Sequence, residues 1–494
     1  MQNGTLLAAV DLGSNSFRLE IGRYEHGQIH RTEYIKETVR QGNGLDDARN
    51  LTAEAMQRGW DCLARFGERL AGFKRAQVRA VATQTLREAR NRDEFLARAR
   101  QLLGFPIDVI AGREEARLIY LGVAHLLPQS GERRLVVDIG GRSTELILGR
   151  QFETGVLESY RVGSVAWSMK YFAHGQFTAQ AFETAEVAAK AVLDEALAAC
   201  PRDSWEVAYG ASGTIGAVGD VLAGAGWTGG SITREGLDWL YERLLDARSA
   251  DRVRMVGLKD DRRPIIGGGV SVLRAVFDLL DIGEMRIAQG ALRHGVLYDL
   301  LDREQGETDI RSTTVERLAA KFAVDAAQAQ RVGKVACQLL RQLRAADGAA
   351  EWARHERKLQ WAAQLHEIGC LISHSDAHKH GAYILQNADA PGFALPELHR
   401  LGLLVLGQRG KLRKLEADFE DELFVHQLLC LRLAVILCHA RREPDLKGLQ
   451  LRAGGYRITL DVRADWPGAF PQSAHLLREE AIAWQKTPWT LSMA

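Results

Sequence analysis

Residues 10–23 read VDLGSNSFRLEIGR, and residues 137–150 read VDIGGRSTELILGR, so one phrase occurs twice in the chain. In each copy an apolar run leads into Asp-x-Gly, a small polar loop follows, and a second apolar run ends in Gly-Arg. This pattern is typical of two antiparallel strands joined by a tight turn. The repetition therefore predicts a duplicated fold, with one such hairpin in each half.

The two turns are candidate phosphate-binding loops. Asp11 and Asp138 end the first strand of each hairpin, and we expect the glycines to turn the backbone with positive φ and to leave amide groups unpaired. A concave set of backbone N–H donors suits a phosphate, and the neighbouring carboxylate can hold a magnesium ion that binds the phosphate. Two facing hairpins would bind a phosphate chain from both sides. Glycine turns kept only for folding are the alternative.

Composition sets the broad class. The 494 residues exceed what one hydrophobic core supports, so three or four domains are expected. With a net charge of +1 the overall field predicts no partner, nucleic acid included, and any anion site must be a local feature. Six scattered cysteines without a CxxC pair indicate thiols in a reducing compartment. The chain start does not resemble a signal peptide and no apolar run could span a bilayer, which predicts a cytoplasmic protein with no transmembrane segment.

The order of strand and helix patterns predicts the domain organisation. Strands and helices alternate around both copies of the repeat, which indicates two α/β halves with mainly parallel sheets and a cleft between them. From about Arg311 the pattern is helical, and the last stretch contains two short strands and a helix. The expected domains are residues 1–128, 129–308, 309–444 and 445–494.

The segment AGREEARLIY, residues 111–120, contains two adjacent acids at the start of a helix. Carboxylates are favoured there by the helix dipole, so two solvated acids are the simplest interpretation. Adjacent helical residues point about 100° apart, and only one can face a cleft. Glu115 has apolar residues three and four positions later, whereas Glu114 has Arg117 and is expected to be solvated and paired. A half-buried Glu115 could accept a proton from an attacking water.

Other segments give weaker indications. YGASGT (residues 209–214) is a second small-residue loop, and RRPIIGGG (residues 262–269) places two arginines beside three glycines. Arg87 and Arg161 are isolated arginines. Each of these arginines could form either a phosphate contact or a surface ion pair.

These motifs together carry a family resemblance. AAVDLGSNSFRL, TLREA, GREEARLIYLGV, VVDIGGRSTEL, YGASGT and GALRHGVLYDLL, in this order, resemble the exopolyphosphatase / guanosine pentaphosphate phosphohydrolase family. LHEIGCLISHSDAHKHGAYILQNADAPGF resembles the helical HD-like domain of its long bacterial members. The resemblance implies duplicated actin/hexokinase/Hsp70-like (ribonuclease H-like) domains, followed by the HD-like domain and a small C-terminal α/β domain. It also implies Mg²⁺-dependent hydrolysis of terminal phosphoanhydride bonds, and a homodimer.

The resemblance also assigns residues. Glu115 falls on the water-activating glutamate, and Asp11, Asp138 and Glu145 fall on acids that bind magnesium. The implied phosphate-binding set is Gly13, Ser14, Asn15, Ser16, Arg87, Gly140, Gly141, Arg142, Ser143, Thr144, Gly210, Ser212 and Gly213. The family usually has a third glycine where this chain has Arg142, and an aspartate where it has Gln289.

A second group of residues is a candidate for binding the far end of a long anion. His366 and its neighbours resemble a metal site in composition, but the HEIG sequence lacks the aspartate of true HD hydrolases, so structural histidines or anion contacts are favoured. The basic run RGKLRK, residues 409–414, is either a solvated helix end or part of such a track. The distal candidates are Arg161, Arg262, His374, His378, His380, Arg409 and Lys411.

Four functions are compatible with these observations. The first is a processive exopolyphosphatase that releases phosphate from inorganic polyphosphate. The second is hydrolysis of guanosine pentaphosphate in the same cleft, by itself or as an additional activity. A kinase of the same superfamily and a non-enzymatic sensor of polyphosphate or alarmone are the third and fourth, although no adenosine pocket or acceptor-activating aspartate is evident.

Overall fold

The computed structural model describes residues 2–128, 130–227, 230–303, 309–343 and 349–494, except the side chains of residues 173, 349–351, 416 and 417. The chain forms two compact units, of which one ends at Asp309 and the other runs from Ile310 to Ala494. The expected boundaries next to residues 129 and 308 lie outside the described residues, and the division into four domains stays a prediction.

The first half of the first unit is a five-stranded sheet in the order β3-β2-β1-β4-β5. Its strands are β1 (Leu6–Leu12), β2 (Phe17–Glu25), β3 (Gln28–Glu37), β4 (Val78–Ala82) and β5 (Ile107–Val109). Its helices are α1 (Ala53–Arg69), α2 (Gln84–Glu88), α3 (Arg92–Leu103) and α4 (Gly112–Leu126). The strands β1, β2 and β3 pair antiparallel, and β4 and β5 continue the sheet in parallel. Because β1 is the central strand, its residues from Leu7 to Leu12 are all buried.

The second half repeats this order as β10-β11-β9-β6-β7-β8. Its strands are β6 (Arg133–Ile139), β7 (Thr144–Arg150), β8 (Glu153–Tyr160), β9 (Val207–Gly210), β10 (Ser231–Thr233) and β11 (Glu284–Ile287). Its helices are α5 (Ser164–Tyr171), α6 (Ala179–Leu193), α7 (Ala196–Ala199), α8 (Gly213–Gly224), α9 (Arg234–Ala247), α10 (Ile266–Leu279) and α11 (Leu292–Arg303). Each half thus joins an antiparallel meander to parallel strands, and β10 pairs antiparallel with β11 at the edge of the second sheet. This confirms the predicted duplicated α/β fold, but the expectation of mainly parallel sheets was wrong.

Helix α11 packs against α4 of the first half at glycine contacts. A Cβ at Gly295 would lie 1.7 Å from the carbonyl oxygen of Leu118, and a Cβ at Gly122 would lie 2.3 Å from that of Ala291. Only glycine permits such a close backbone approach. Helix α11, the last helix of the first unit, therefore packs against the first half and holds α4, which carries Glu115.

The second unit is helical with a small sheet. Its helices are α12 (Ile310–Lys321), α13 (Ala326–Gln342), α14 (Ala349–Gln364), α15 (Ala377–Asn387), α16 (Leu395–Gly407), α17 (Glu422–Leu437), α18 (Trp466–Ala469) and α19 (Pro471–Trp484). Its strands are β12 (Leu449–Gly454), β13 (Arg457–Val462) and β14 (Thr490–Met493). Helices and sheet share one hydrophobic core. None of the helices in the described chain has the length and apolar character needed to cross a lipid bilayer.

Candidate active site

A cavity of about 380 Å³ lies between the two hairpins of the first unit. Residues of both hairpin turns line it, namely Asp11, Gly13, Ser14, Asn15, Ser16, Asp138, Gly140, Gly141 and Ser143. A Cβ at Gly141 would lie only 2.9 Å from the Cβ of Ser14, so the two turns touch. The structure thus brings together the two loops that the repeated phrase predicts.

The glycines of these turns do not have the positive φ expected from the sequence. The residues with positive φ do not include Gly13, Gly140 or Gly141. Their small size suits a close approach instead, because a Cβ at Gly13 would lie 3.0 Å from the carbonyl oxygen of Ser16, and one at Gly140 would lie 3.1 Å from that of Ser143. These glycines let the hairpin turns fold tightly on themselves.

A third wall of the cavity is the N-terminus of α8. Ser212 caps this helix, since its hydroxyl accepts hydrogen bonds from the amides of Thr214 and Ile215 at 3.2 and 3.0 Å. Arg262 approaches the same turn, where a Cβ at Gly213 would lie 2.3 Å from its Nη2. Helix N-termini attract anions. Arg262 lines the cavity, so the structure places it in the cleft and not among the distal residues expected to bind the far end of a long anion. The segment before α10 lies against the N-terminus of α8 and brings Arg262 there.

Glu115 lies in the first turn of α4 and lines the cavity. Its Oε2 accepts a hydrogen bond from Nη1 of Arg87 at 2.6 Å, and Arg87 also donates to the carbonyl oxygen of Ile110 at 2.9 Å. Burial raises the pKa of Glu115 above its ordinary value, and the Arg87 guanidinium opposes this effect in part. A buried carboxylate with a raised pKa can act as a general base.

The neighbouring Glu114 is not solvated, contrary to the sequence-based expectation. Only 2% of it is exposed, and it accepts two hydrogen bonds from Arg117 at 2.8 and 2.9 Å. Arg117 in turn pairs with Asp299 of α11. The expected pairing is present, but it is buried because α11 covers this side of α4.

The two hairpins differ in the residue opposite the acid. In the β1–β2 register Asp11 faces Arg18, whereas in the β6–β7 register Asp138 faces Glu145. Nη1 of Arg18 lies 2.9 Å from Oδ2 of Asp11. Burial raises the pKa of Asp138 well above its ordinary value, and the nearby Glu115 raises it further. Sequence reasoning missed Arg18, although the hairpin register indicates it directly.

The acids of the site suit a magnesium ion in part. Oδ1 of Asp11 is buried without a hydrogen-bond partner, as expected of an oxygen that faces a cation, whereas the likewise unpartnered Oε2 of Glu145 lies behind the cavity wall. However, the described residues contain no cluster of three His, Cys, Asp or Glu side chains that could hold a metal by themselves. Mg²⁺ is usually held by one or two carboxylates, with substrate phosphates and water completing its coordination. The donor set fits such an ion.

Several basic and polar residues of the cleft were not identified from the sequence. Besides Arg18 they are Tyr34, Lys36, Lys259 and Arg293, all of which line the cavity. They come from β3, from the loop before α10 and from the start of α11, which are distant in sequence. No local pattern distinguishes such residues from surface charges.

Other predicted residues lie outside the cavity wall. Thr144 is fully buried and donates to the carbonyl oxygen of Val162 at 2.7 Å, and Gly210 packs where a Cβ would lie 2.4 Å from Ile215. Glu145 lies behind the wall, where it accepts a hydrogen bond from Ser159 at 2.8 Å. Arg87 and Arg142 contact protein groups beside the cavity, and Arg161 is exposed.

The histidines of the cluster and the distal candidates in the second unit are either buried or accessible. His366 is buried, with Nδ1 2.7 Å from the carbonyl oxygen of Ala363. His378 is also buried, and burial together with Lys414 lowers its pKa to about 4. Gly410 of the basic run lies beside it, since a Cβ there would be 3.4 Å from Nε2 of His378. His374, Arg409 and Lys411 are exposed and His380 is half-buried. Their role in anion binding stays a prediction.

Comparison with known proteins identifies the family. A profile of the Ppx/GppA phosphatase family matches residues 21–304, and one of its domain III matches residues 310–481. Proteins named guanosine-5'-triphosphate,3'-diphosphate pyrophosphatase from Vibrio cholerae serotype O1 and from Vibrio parahaemolyticus serotype O3:K6 are each 39% identical over 494 residues, covering 99% of this chain and 98% of the relative.

Solved structures show the same fold. The crystal structure of an exopolyphosphatase from Cytophaga hutchinsonii has a TM-score of 0.55 at 23% identity and covers 60% of this chain and 98% of its own. The Aquifex aeolicus member of the Ppx/GppA family has a TM-score of 0.51 at 23% identity and covers 61% of this chain and 99% of its own. With two profiles that together span most of the sequence and full-length relatives at 39% identity, this chain belongs to the Ppx/GppA phosphatase family.

Proposed function

We propose that this protein hydrolyses the terminal phosphoanhydride bond of guanosine 5'-triphosphate 3'-diphosphate and releases inorganic phosphate. The observation that supports hydrolysis is the position of the buried Glu115, held by Arg87, in a cavity that is walled by two facing loops and a helix N-terminus. The full-length relatives, which are 39% identical to this chain, are named as pyrophosphatases of this nucleotide, and this supports it as the substrate.

In the proposed reaction Glu115 activates a water molecule. Its Oε2 accepts the hydrogen bond from Arg87, and the carboxylate takes the proton as the water oxygen bonds to the terminal phosphorus. The bond from this phosphorus to the bridging oxygen breaks, and the electron pair leaves with the shortened phosphate chain. The backbone amides of the facing turns stabilise the charge on the transferring phosphoryl group.

Asp11 and Asp138 are the residues proposed to hold Mg²⁺ together with the substrate phosphates. A bound magnesium ion would neutralise phosphate charge. The unpartnered Oδ1 of Asp11 supports this assignment. Asp11 also keeps Arg18 at the cavity wall, where the guanidinium can meet a phosphate oxygen.

Substitution of Glu115 tests the chemistry. Glu115→Gln keeps the size of the side chain but removes the proton acceptor, so kcat should fall by about 10²- to 10⁴-fold while the substrate still binds. Phosphate release gives kcat, and calorimetric titration gives Kd. Glu186→Gln is the control, because Glu186 pairs with Arg274 away from the cavity. Near-normal turnover of Glu115→Gln would contradict the assignment of the base.

Inorganic polyphosphate is the second candidate substrate. The supporting observation is the set of basic side chains along the cavity, namely Arg18, Lys36, Lys259, Arg262 and Arg293, which suit a chain of phosphates of any origin. The ratio kcat/KM for long-chain polyphosphate and for the guanosine nucleotide decides between the two. A higher value for polyphosphate would replace the proposed substrate and leave the proposed chemistry intact.

The same assay separates hydrolysis from the two other functions compatible with the sequence. Release of phosphate in the absence of an acceptor alcohol would exclude an obligatory kinase. Tight binding of both substrates without release at millimolar magnesium would indicate a sensor and would contradict the proposed hydrolysis.

A further inference from the structure

Arg142 connects the two halves of the first unit. It lies in the second hairpin turn, and its guanidinium reaches the first half at two points. Nε and Nη2 lie 3.0 and 2.9 Å from Oε2 of Glu88, and Nη1 donates to the carbonyl oxygen of Gly42 at 3.0 Å. The amide of Gly42 donates to the carbonyl oxygen of Ser14 at 2.7 Å, so the second contact also supports the first phosphate-binding loop.

From Glu88 a continuous set of hydrogen bonds leads to the proposed base. Oε1 of Glu88 accepts from Nε2 of Gln84 at 2.7 Å. Oε1 of Gln84 accepts from Nε and Nη2 of Arg87 at 2.9 and 2.6 Å, and Nη1 of Arg87 donates to Oε2 of Glu115 at 2.6 Å. Arg142, Glu88, Gln84, Arg87 and Glu115 therefore form one side-chain network.

We propose that Arg142 and Glu88 are positioning residues for Glu115, which rests on the hydrolytic function proposed above. Through Gln84 they fix the guanidinium plane of Arg87, and Arg87 fixes Oε2 of Glu115. The second phosphate-binding loop and the base are thereby held in one arrangement, although they belong to different halves of the fold.

The burial of the side chains in this network supports a positioning role. Gln84 is 5% exposed, and the side chains of Arg87 and Glu115 are 12% and 10% exposed. Hydrogen bonds in such low-dielectric surroundings reinforce one another, and a buried partner left unsatisfied costs free energy. Loss of Glu88 leaves Gln84 held by Arg87 alone, so the orientation of the Arg87 guanidinium is less restricted.

The network also restricts what Arg142 does with substrate. All three guanidinium nitrogens of Arg142 face Glu88 or Gly42, and Arg142 is not part of the cavity wall. A direct phosphate contact would require the guanidinium to leave both partners. Positioning and direct contact therefore predict different kinetic effects, since the first acts on kcat and the second on KM.

A double-mutant cycle with Arg142→Ala and Glu88→Ala tests this proposal. Each single variant should lower kcat for phosphate release by about 10- to 100-fold, with KM changed less than about threefold, because a small misplacement of a base has effects of this size. The double variant should lose little more than either single one, because one break already disconnects the network. Arg142→Lys, which keeps a cation beside Glu88, should recover part of kcat.

The matched control pair is Arg274 and Glu186 of the second half. Their contact is also an Arg–Glu pair, and its side-chain exposures of 21% and 15% resemble the 20% and 12% of Arg142 and Glu88. Arg274→Ala and Glu186→Ala should leave kcat unchanged. Thermal melting of every variant identifies any loss of kcat that comes from unfolding.

Distinct results overturn the two proposals. If the wild-type protein and Arg142→Ala release phosphate equally fast, the network proposal fails and the proposed function stands. A rise in KM with unchanged kcat in Arg142→Ala, together with normal kinetics of Glu88→Ala, would instead make Arg142 a phosphate contact. If the wild-type protein releases no phosphate from either substrate, the proposed function fails, and the positioning role fails with it.

Discussion

Replacement of Asp299 by alanine is expected to destabilise the first unit by about 3–5 kcal/mol. Asp299 is 1% exposed and accepts hydrogen bonds from three guanidinium groups, which belong to Arg79 of β4, Arg117 of α4 and Arg303 of α11. Arg79 is itself 5% exposed and also lies 3.6 Å from Glu114. Without Asp299 the cluster keeps its positive charges and loses the acceptor that they share.

The magnitude follows from desolvation rather than from the attraction alone. A surface ion pair contributes about 0–1 kcal/mol, but a buried arginine that loses its partner retains the full cost of being removed from water. For a unit of this size the loss corresponds to a fall in melting temperature on the order of 10 °C. Because α11 holds α4 through this cluster, the loss should also lower turnover through Glu115.

The effect should depend on pH. Burial alone would raise the pKa of Asp299, but Arg303, Arg79 and Arg117 hold it well below its ordinary value. The unfolded chain therefore takes up a proton on Asp299 at a higher pH than the folded chain. The stabilisation is complete above about pH 4 and is lost as the pH falls through the folded-state pKa. The contribution of Asp299 to the difference between wild type and Asp299→Ala should thus shrink as the pH falls below about 4.

Urea unfolding at several pH values measures this difference. Asp278→Ala is the control, because Asp278 pairs with Lys190 and Arg234 on the surface and is 41% exposed there, so its loss should cost less than about 1 kcal/mol. If Asp299→Ala is no less stable than Asp278→Ala at pH 7, the argument from burial is refuted.

Three further predictions concern α11, the cleft mouth and the second unit. Burial and the neighbouring Asp299 raise the pKa of Asp302 to about 6, so Asp302→Asn should stabilise the fold by about 1 kcal/mol at pH 7.5 and not at pH 4.5, as measured by urea unfolding. Tyr34 is 39% exposed in the cavity wall, and Tyr34→Ala should raise KM for the guanosine nucleotide about tenfold, through lost base stacking, while KM for tripolyphosphate stays the same. Neutralising the four basic residues of the run at 409–414 should weaken binding of long polyphosphate in a salt-dependent way and leave short chains unaffected, as fluorescence titration would show; equal losses for both would indicate a role in folding.

The core of the fold was accessible from local patterns. The repeated phrase predicts two hairpins, and the observed register pairs Asp11 with Arg18 and Asp138 with Glu145. Hairpin pairing depends on neighbours in sequence, so two copies of one pattern give the same local structure twice. The turn glycines were expected to have positive φ, but Gly13 and Gly140 do not; each instead lies close to a carbonyl oxygen of its own turn.

Helical periodicity predicts the position of Glu115 correctly but not that of Glu114. Periodicity places Glu115 on an inward face, and the structure puts it in the cavity wall. The same reasoning left Glu114 in solvent, whereas α11 buries it. Helix α11 lies far along the chain, and no periodicity within α4 indicates a partner that distant in sequence.

The sequence by itself determined the duplicated hairpins, the acid at the end of each first strand and the glutamate at the start of α4, because each depends on residues close together in the chain. Tertiary structure decided the remaining features of the site. It placed Arg262 and Arg293 at the cavity, buried the Asp299 cluster and connected Arg142 with Glu115. These contacts join residues from separate elements, and only the packing of the two halves determines which charged groups are desolvated and which of them form ion pairs.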